Sequence, residues 1–173
     1  MNSRVARAIA GGWDLGMIWS MASGSPLDIM DGQDRSNIGS SSMDRPNAVA
    51  GQSSKLSNPT PQEWFNVQAF ALQPQYTFGN VGRNTVIGPP LFSVDFSLKK
   101  DMRFTERLRL QLRLDAFNAF NHPNFGSPNN GLAADHLDAN GVPTPGSGSF
   151  GTITSLNSNI SMRQLQVSLK LVF

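Results

Sequence analysis

The chain has 173 residues, of which 39% are hydrophobic and 15% charged, and it contains 16 glycines, 11 prolines and no cysteine. A net charge of +2 without a basic stripe gives no reason to expect nucleic-acid binding, and the lack of cysteine excludes disulfides and thiolate metal sites. Few charges combined with many turn-forming residues favour β structure with long irregular connections.

Sequence patterns also argue against a transmembrane helix and against an enzyme. No run of about 18 apolar residues occurs, which excludes a transmembrane helix but leaves membrane strands open, because every second residue of such a strand is polar. His122 and His136 lack the sequence context of a catalytic zinc site, and neither a G-x-S-x-G motif nor a phosphate-binding loop is present. We therefore expect no cofactor and no enzymatic activity.

The first element, residues 12–23, is predicted to be a strand. Apolar residues occupy every second position from Trp13 to Met21. Residues 1–23 also resemble a secretory signal peptide, with Arg4 and Arg7 ahead of an apolar stretch. Asp14 and several glycines weaken that alternative, and the alternation favours the strand.

The second and third strands are predicted at residues 91–104 and 106–118. Phe92 to Leu98 and Leu108 to Ala116 again place apolar residues at every second position. Little more than Phe104-Thr105-Glu106 separates the two runs, which predicts a tight hairpin. The long segments 24–90 and 119–162 are rich in Gly, Pro, Asn and Ser and are predicted to be irregular loops.

The last strand is predicted at residues 163–173 and ends on an aromatic residue. This pattern resembles the C-terminal signal that the barrel assembly machinery of the outer membrane recognises, and the alternative is an ordinary edge strand. The residues that would form the signal are Leu165, Val167, Leu169, Leu171 and Phe173.

The length of the strands indicates a membrane protein. Each run is about 10 residues, close to the 9–11 that a tilted strand needs to cross a bilayer. Barrels of the outer membrane have short periplasmic turns and long extracellular loops, so the hairpin is assigned to the periplasm and both long loops to the outside. The sequence thus predicts an all-β fold, an antiparallel transmembrane β-barrel segment with about four long strands and two long extracellular loops. Because four strands cannot close a barrel, we expect residues 1–173 to be the C-terminal part of a longer protein.

Several motifs resemble the Oar-like family of TonB-dependent outer-membrane receptors. They agree in order and spacing over nearly the whole chain: Gly12-Trp13-Asp14-Leu15, Ser23-Gly24-Ser25-Pro26, Trp64-Phe65-Asn66 with Ala69-Phe70, Phe78-Gly79-Asn80-Val81-Gly82-Arg83-Asn84, Gly88-Pro89, Asp95-Phe96-Ser97-Leu98-Lys99-Lys100, and Phe117-Asn118-Ala119-Phe120-Asn121-His122-Pro123-Asn124-Phe125.

The resemblance implies a large single-chain barrel of about 22 strands, closed by a plug domain and energised by TonB. The implied partners are outer-membrane lipid, the remaining strands and plug, the barrel assembly machinery, and TonB through an N-terminal part that this sequence lacks. The implied function is solute uptake across the outer membrane of a Gram-negative bacterium.

Two faces are predicted for the strands. The apolar face would carry interfacial aromatic girdles formed by Trp13, Trp19, Phe92 and Phe104. The polar face would point into the lumen, where we favour mutual pairing across neighbouring strands over a solute path; its charged members are Asp95, Lys99, Arg109, Arg113, Asp115 and Lys170. Asn118, Asn121 and His122 are expected to satisfy local backbone groups rather than to bind a ligand.

Two alternatives remain open. Several four-stranded chains could assemble into one outer-membrane anchor, although the long loops argue against it. A secreted soluble β-sandwich that binds a partner would require the signal-peptide interpretation of residues 1–23.

Overall fold

The computed structural model describes residues 9–39, 44–132 and 137–173, which form two compact units. Within these residues no helix is long and apolar enough to cross a membrane. One of the two compact units, here called the sheet unit, contains residues 9–22, 91–124 and 158–173. The other, here called the loop unit, contains the described parts of 23–90 and 125–157. The elements in chain order are β1 Trp13–Ala22, β2 Pro26–Leu27, β3 Asn47–Ala48, a 3₁₀ turn Val67–Ala69, β4 Phe70–Ala71, β5 Val86–Ile87, β6 Leu91–Arg103, β7 Arg109–Phe117 and β8 Gln164–Val172.

The sheet unit is built from the four long strands that alternation predicts. They form one antiparallel sheet in the order β1-β6-β7-β8, so strands that follow one another among the long ones are also neighbours in space. β1 lies along β6 from Trp13 opposite Lys100 to Ala22 opposite Leu91. Residues 1–8, which carry the basic positions of the signal-peptide alternative, lie outside the described residues.

The hairpin between β6 and β7 is longer than the sequence predicts. β6 ends at Arg103 and β7 begins at Arg109, so residues 104–108 form the turn. The backbone N–H groups of Phe104 and Thr105 both donate to the Leu108 carbonyl, at 3.0 and 3.3 Å. The Thr105 hydroxyl in turn accepts from the Leu108 N–H at 3.0 Å, which closes the turn without extending the ladder.

The loop unit is the main departure from the sequence prediction. The two long connections were predicted to be irregular, yet the first forms two short antiparallel ladders, β2 with β5 and β3 with β4. Both connections share one core. Its aromatic centre joins Phe65 and Phe70 of the first connection to Phe150 of the second, with edge-to-face rings 5.1 to 6.0 Å apart. The remaining buried members are Ile29, Val67, Ala69, Val81, Val86 and Leu132.

Buried polar groups add specificity to the loop unit. Asp31 and Gln73 are fully buried, and the Gln73 side-chain amide donates to the Asp31 carboxylate at 2.6 Å. The other Asp31 oxygen accepts from the Gln33 N–H at 2.8 Å, and the Gln73 backbone carbonyl accepts from the Arg35 side chain at 2.7 Å. A buried carboxylate is stable only when it is hydrogen-bonded, so these contacts fix how residues 31–35 pack against Gln73.

Candidate functional site

The register divides the side chains of the sheet unit into two faces. Residues directly opposite one another in adjacent strands point to the same side. Leu15, Leu98, Leu114 and Val167 therefore share one side, here called the apolar face. Asp14, Lys99, Arg113 and Ser168 form the neighbouring row on the opposite side, the polar face, which by the same register also carries Asp95, Arg109, Asp115 and Lys170.

Charges on the polar face pair with one another. Lys99 lies 2.8 Å from Asp14 in the adjacent strand and 3.8 Å from Asp101 two positions along its own strand. The Gln111 amide donates to Asp101 at 2.9 Å, again across strands. Of the six charges predicted on this face, Lys99 thus has a cross-strand partner in Asp14, while Arg113 pairs with Asp115 within β7, at 2.9 Å. That these residues face a lumen stays a prediction.

Two recesses lie on the polar face. The smaller has a volume of about 200 Å³ and is lined by the row of Asp14, Lys99 and Arg113 together with Gly16 and Ser97. The larger, of about 380 Å³, lies toward the other end of the strands. Its lining consists of the neutral polar residues Ser20, Ser93, Asn118, Asn159, Ser161 and Gln164, the charged Asp95, and the apolar Phe117 and Ile160. Three of the five residues that line the smaller recess are charged, whereas Asp95 is the one charged residue among the nine that line the larger.

The asparagines after β7 bind backbone groups, as the sequence analysis expects. The Asn118 side chain accepts from the His122 N–H at 3.0 Å and donates to the carbonyls of His122 and Ser161. The Asn121 side-chain oxygen accepts from the Arg163 N–H at 3.1 Å, just before β8 begins. Both asparagines have positive φ angles, of 45° and 52°, which asparagine tolerates better than most residues.

Asn124 completes this set at the start of β6. Its side-chain oxygen accepts from the Phe92 N–H at 2.7 Å, and its amide donates to the Phe92 carbonyl at 2.9 Å. The Asp95 carboxylate on β6 accepts from the Asn118 N–H at 2.8 Å. The segment after β7 is thereby attached both to the first residues of β6 and to the approach to β8.

The apolar face is most exposed on its two outer strands, β1 and β8. Leu15, Met17 and Met21 of β1 are each more than half exposed, as are Leu165, Val167 and Leu169 of β8. A water-facing sheet would place polar side chains at these positions, since large contiguous apolar patches mark contact with a partner or a membrane. The four predicted girdle residues lie near the two ends of this surface, Trp19 and Phe92 at one end, Trp13 and Phe104 toward the other.

The aromatic residues occupy positions consistent with two bands. Trp19 and Phe92 pack edge to face with centroids 6.3 Å apart, and Phe92 also contacts His122 at 5.3 Å. From Phe92 to Phe104 the strand rises about 40 Å, or roughly 30 Å along the normal if tilted by about 40°. That span is close to the height of a bilayer core, and the girdle assignment stays a prediction.

Lys100 is a charged residue on the apolar face that the sequence analysis did not single out. It lies opposite Trp13 and is only 6% exposed. Its ammonium donates to the carbonyls of Ile9 and Gly11 and lies 4.8 Å from the Trp13 ring centroid. The lysine therefore keeps its charge solvated by backbone at one end of the strands, as long basic side chains do near a membrane surface. In the sequence, Lys100 is the one charged residue among the alternating apolar positions of β6.

The candidate signal on β8 lies on the exposed apolar face. Leu165, Val167, Leu169 and Leu171 alternate along the strand, and Phe173 follows it with 94% of its surface exposed. In the described parts of the chain, no group of three or more His, Asp or Glu residues could hold a metal ion, and His136 lies outside them. The recognition of these residues by assembly machinery stays a prediction.

An antiparallel sheet of long strands with one exposed apolar face and one charged face defines the wall of a membrane β-barrel. A family described as outer membrane beta barrel domain matches residues 1–166, and the chain belongs to that family. This membership confirms the predicted fold class and indicates the outer membrane of Gram-negative bacteria. Neither the curated proteins nor the solved structures gave a significant match.

Proposed function

We propose that the chain forms part of the wall of a TonB-dependent receptor that takes up a solute across the outer membrane, without catalytic activity of its own. The apolar face would contact lipid, the polar face would line the lumen, and the loop unit would form the extracellular surface. A plug and TonB would act through parts of a longer protein.

The observation that carries the proposal is that the receptor-like motifs contact one another. The Gly88 N–H, from the Gly88-Pro89 motif, donates to the Ser25 carbonyl of the Ser23–Pro26 motif at 2.8 Å. A Cβ placed on Gly24 would lie 1.7 Å from the Gly88 oxygen, so only glycine allows this approach. Asp95 and Asn118 join two further motifs. Scattered chance matches would not be expected to meet in pairs.

The two open edges of the sheet indicate that additional strands pair with it in the membrane. Among the described residues, β1 and β8 each pair with a single neighbour and form the two edges. Unpaired backbone groups cost several kcal/mol each in hydrocarbon, so the proposal requires further strands beside both edges. Other copies of the chain could supply them in the anchor alternative, and the mass of the assembled barrel distinguishes the two cases.

The test uses the protein that carries this chain, in its native host. Energised cells are treated with formaldehyde, and adducts of the protein are probed for TonB. We expect an adduct that is lost in cells without TonB. The transport proposal is wrong if no adduct forms while another TonB-dependent receptor in the same cells gives one. The family assignment would survive that result, because it rests on the match over residues 1–166 and not on contact with TonB.

A further inference from the structure

A recess in the loop unit has features of a ligand site. Its volume is about 390 Å³, within the range of roughly 300–1,000 Å³ typical of small-molecule sites. The side chains of Trp64, Leu56 and Ile87 line it, together with the core residues Phe65 and Val86. Its lining is therefore mainly apolar, with Lys55 as the charged exception.

The walls of the recess are held in place before any ligand binds. The Trp64 indole N–H donates to the Ile87 carbonyl at 2.9 Å, which fixes the ring against the strand β5. The Trp64 backbone N–H donates to the Gly151 carbonyl at 2.8 Å. The Asn66 backbone N–H bonds the Ser54 carbonyl at 2.9 Å and so anchors the segment that carries Lys55. A rigid site loses less conformational entropy on binding than one that must form around its ligand.

The charge of the recess is unbalanced. Lys55 is exposed, and among the described residues its ammonium makes no ion pair. Its hydrocarbon stem can lie along the apolar wall while its ammonium stays in water. A ligand that matches this arrangement has an apolar body and one negative charge near the rim.

We propose that this recess binds a small amphipathic anion, such as an aryl carboxylate, with its flat apolar part against Trp64 and its carboxylate beside Lys55. Trp64 offers a flat aromatic surface, and flat rings pack on it by stacking or edge contact. The proposal goes beyond transport and stands without it, because binding needs only residues of the loop unit.

The test exploits the small number of tryptophans. The chain has three, so the full chain labelled with ¹⁵N-tryptophan in phospholipid nanodiscs gives three indole N–H signals, assigned by Trp64→Phe and Trp19→Phe. The probes are 2-naphthoate and its neutral counterpart 2-naphthalenemethanol. We expect naphthoate to shift the Trp64 signal saturably, whereas the neutral probe binds roughly threefold to fivefold more weakly, as for one exposed charge pair.

A matched pair of variants separates charge recognition from general attraction. Lys55→Gln should abolish the preference for naphthoate, whereas Arg83→Gln, which removes a charge of the same sign elsewhere in the loop unit, should retain it. Both side chains are exposed, so neither change should disturb folding. The proposal is overturned if the Trp64 signal does not move, if all three signals move together without saturation, or if both probes bind equally.

Discussion

Asn124 hydrogen-bonds both backbone groups of Phe92, accepting from its N–H and donating to its carbonyl. A side chain that satisfies both groups acts as a neighbouring strand would, at the point where β6 begins. Both residues lie within the sheet unit, and their contact ties the segment after β7 to the first residues of β6.

Loss of this contact should destabilise the sheet unit. Asn124→Ala leaves two backbone groups of a nearly buried site without partners, and we expect a loss of about 1–3 kcal/mol in the free energy of unfolding. Urea unfolding of the protein that carries this chain, in phospholipid vesicles, measures it. Asn140→Ala, at an exposed turn, is the control and should change little. Equal stability of both variants would show that water replaces the asparagine.

The apolar face should reject charge and the polar face should accept it. Leu114→Arg introduces a cation between Leu98 and Val167, and we expect a cost of about 2–4 kcal/mol near the bilayer centre. Gln166→Arg places the same side chain opposite Asp115 on the polar face and should cost far less. The free energies of unfolding in vesicles provide the comparison. A larger cost for Gln166→Arg would mean that the two faces have been assigned the wrong way round.

The shared core of the loop unit should depend on Phe65. This ring is 2% exposed and contacts both Phe70 and Phe150, so Phe65→Ala should cost about 3–5 kcal/mol. Limited proteolysis should then cut both long connections more rapidly, while the strands stay protected. Phe78→Ala removes a ring that is 71% exposed and should leave the cleavage pattern unchanged. Faster cleavage in the first connection alone would argue against a common core.

The buried pair of Asp31 and Gln73 gives a pH-dependent prediction. Gln73→Glu places a second carboxyl against the Asp31 oxygen that now lies 2.6 Å from an amide. Two buried carboxylates this close cannot both be ionised, so the variant should be destabilised at neutral pH and recover as the pH falls and one proton is shared. Thermal unfolding between pH 7 and pH 4 measures the effect. Gln68→Glu, at an exposed position, should show no such recovery.

The sheet could be predicted because its signal is local. Alternation along Leu108 to Ala116 reflects two different environments on the two sides of one strand, and it is visible within a few residues. The loop unit has no comparable signal. Phe65 and Phe150 meet although a long stretch of chain separates them, and neither lies in a periodic run. Trp64 and Lys55 were not singled out as site residues for the same reason, since the recess exists only after residues 54–65 have packed against residues 85–87.

The aromatic centre of the loop unit has a consequence for how this surface can diversify. Phe150 comes from one connection, whereas Phe65 and Phe70 come from the other, so neither connection can be exchanged without leaving an unfilled cavity in its counterpart. Grafting either segment alone into a related barrel should yield a disordered graft, and grafting both should yield a folded one. We therefore expect the two connections to change together in evolution, as a pair.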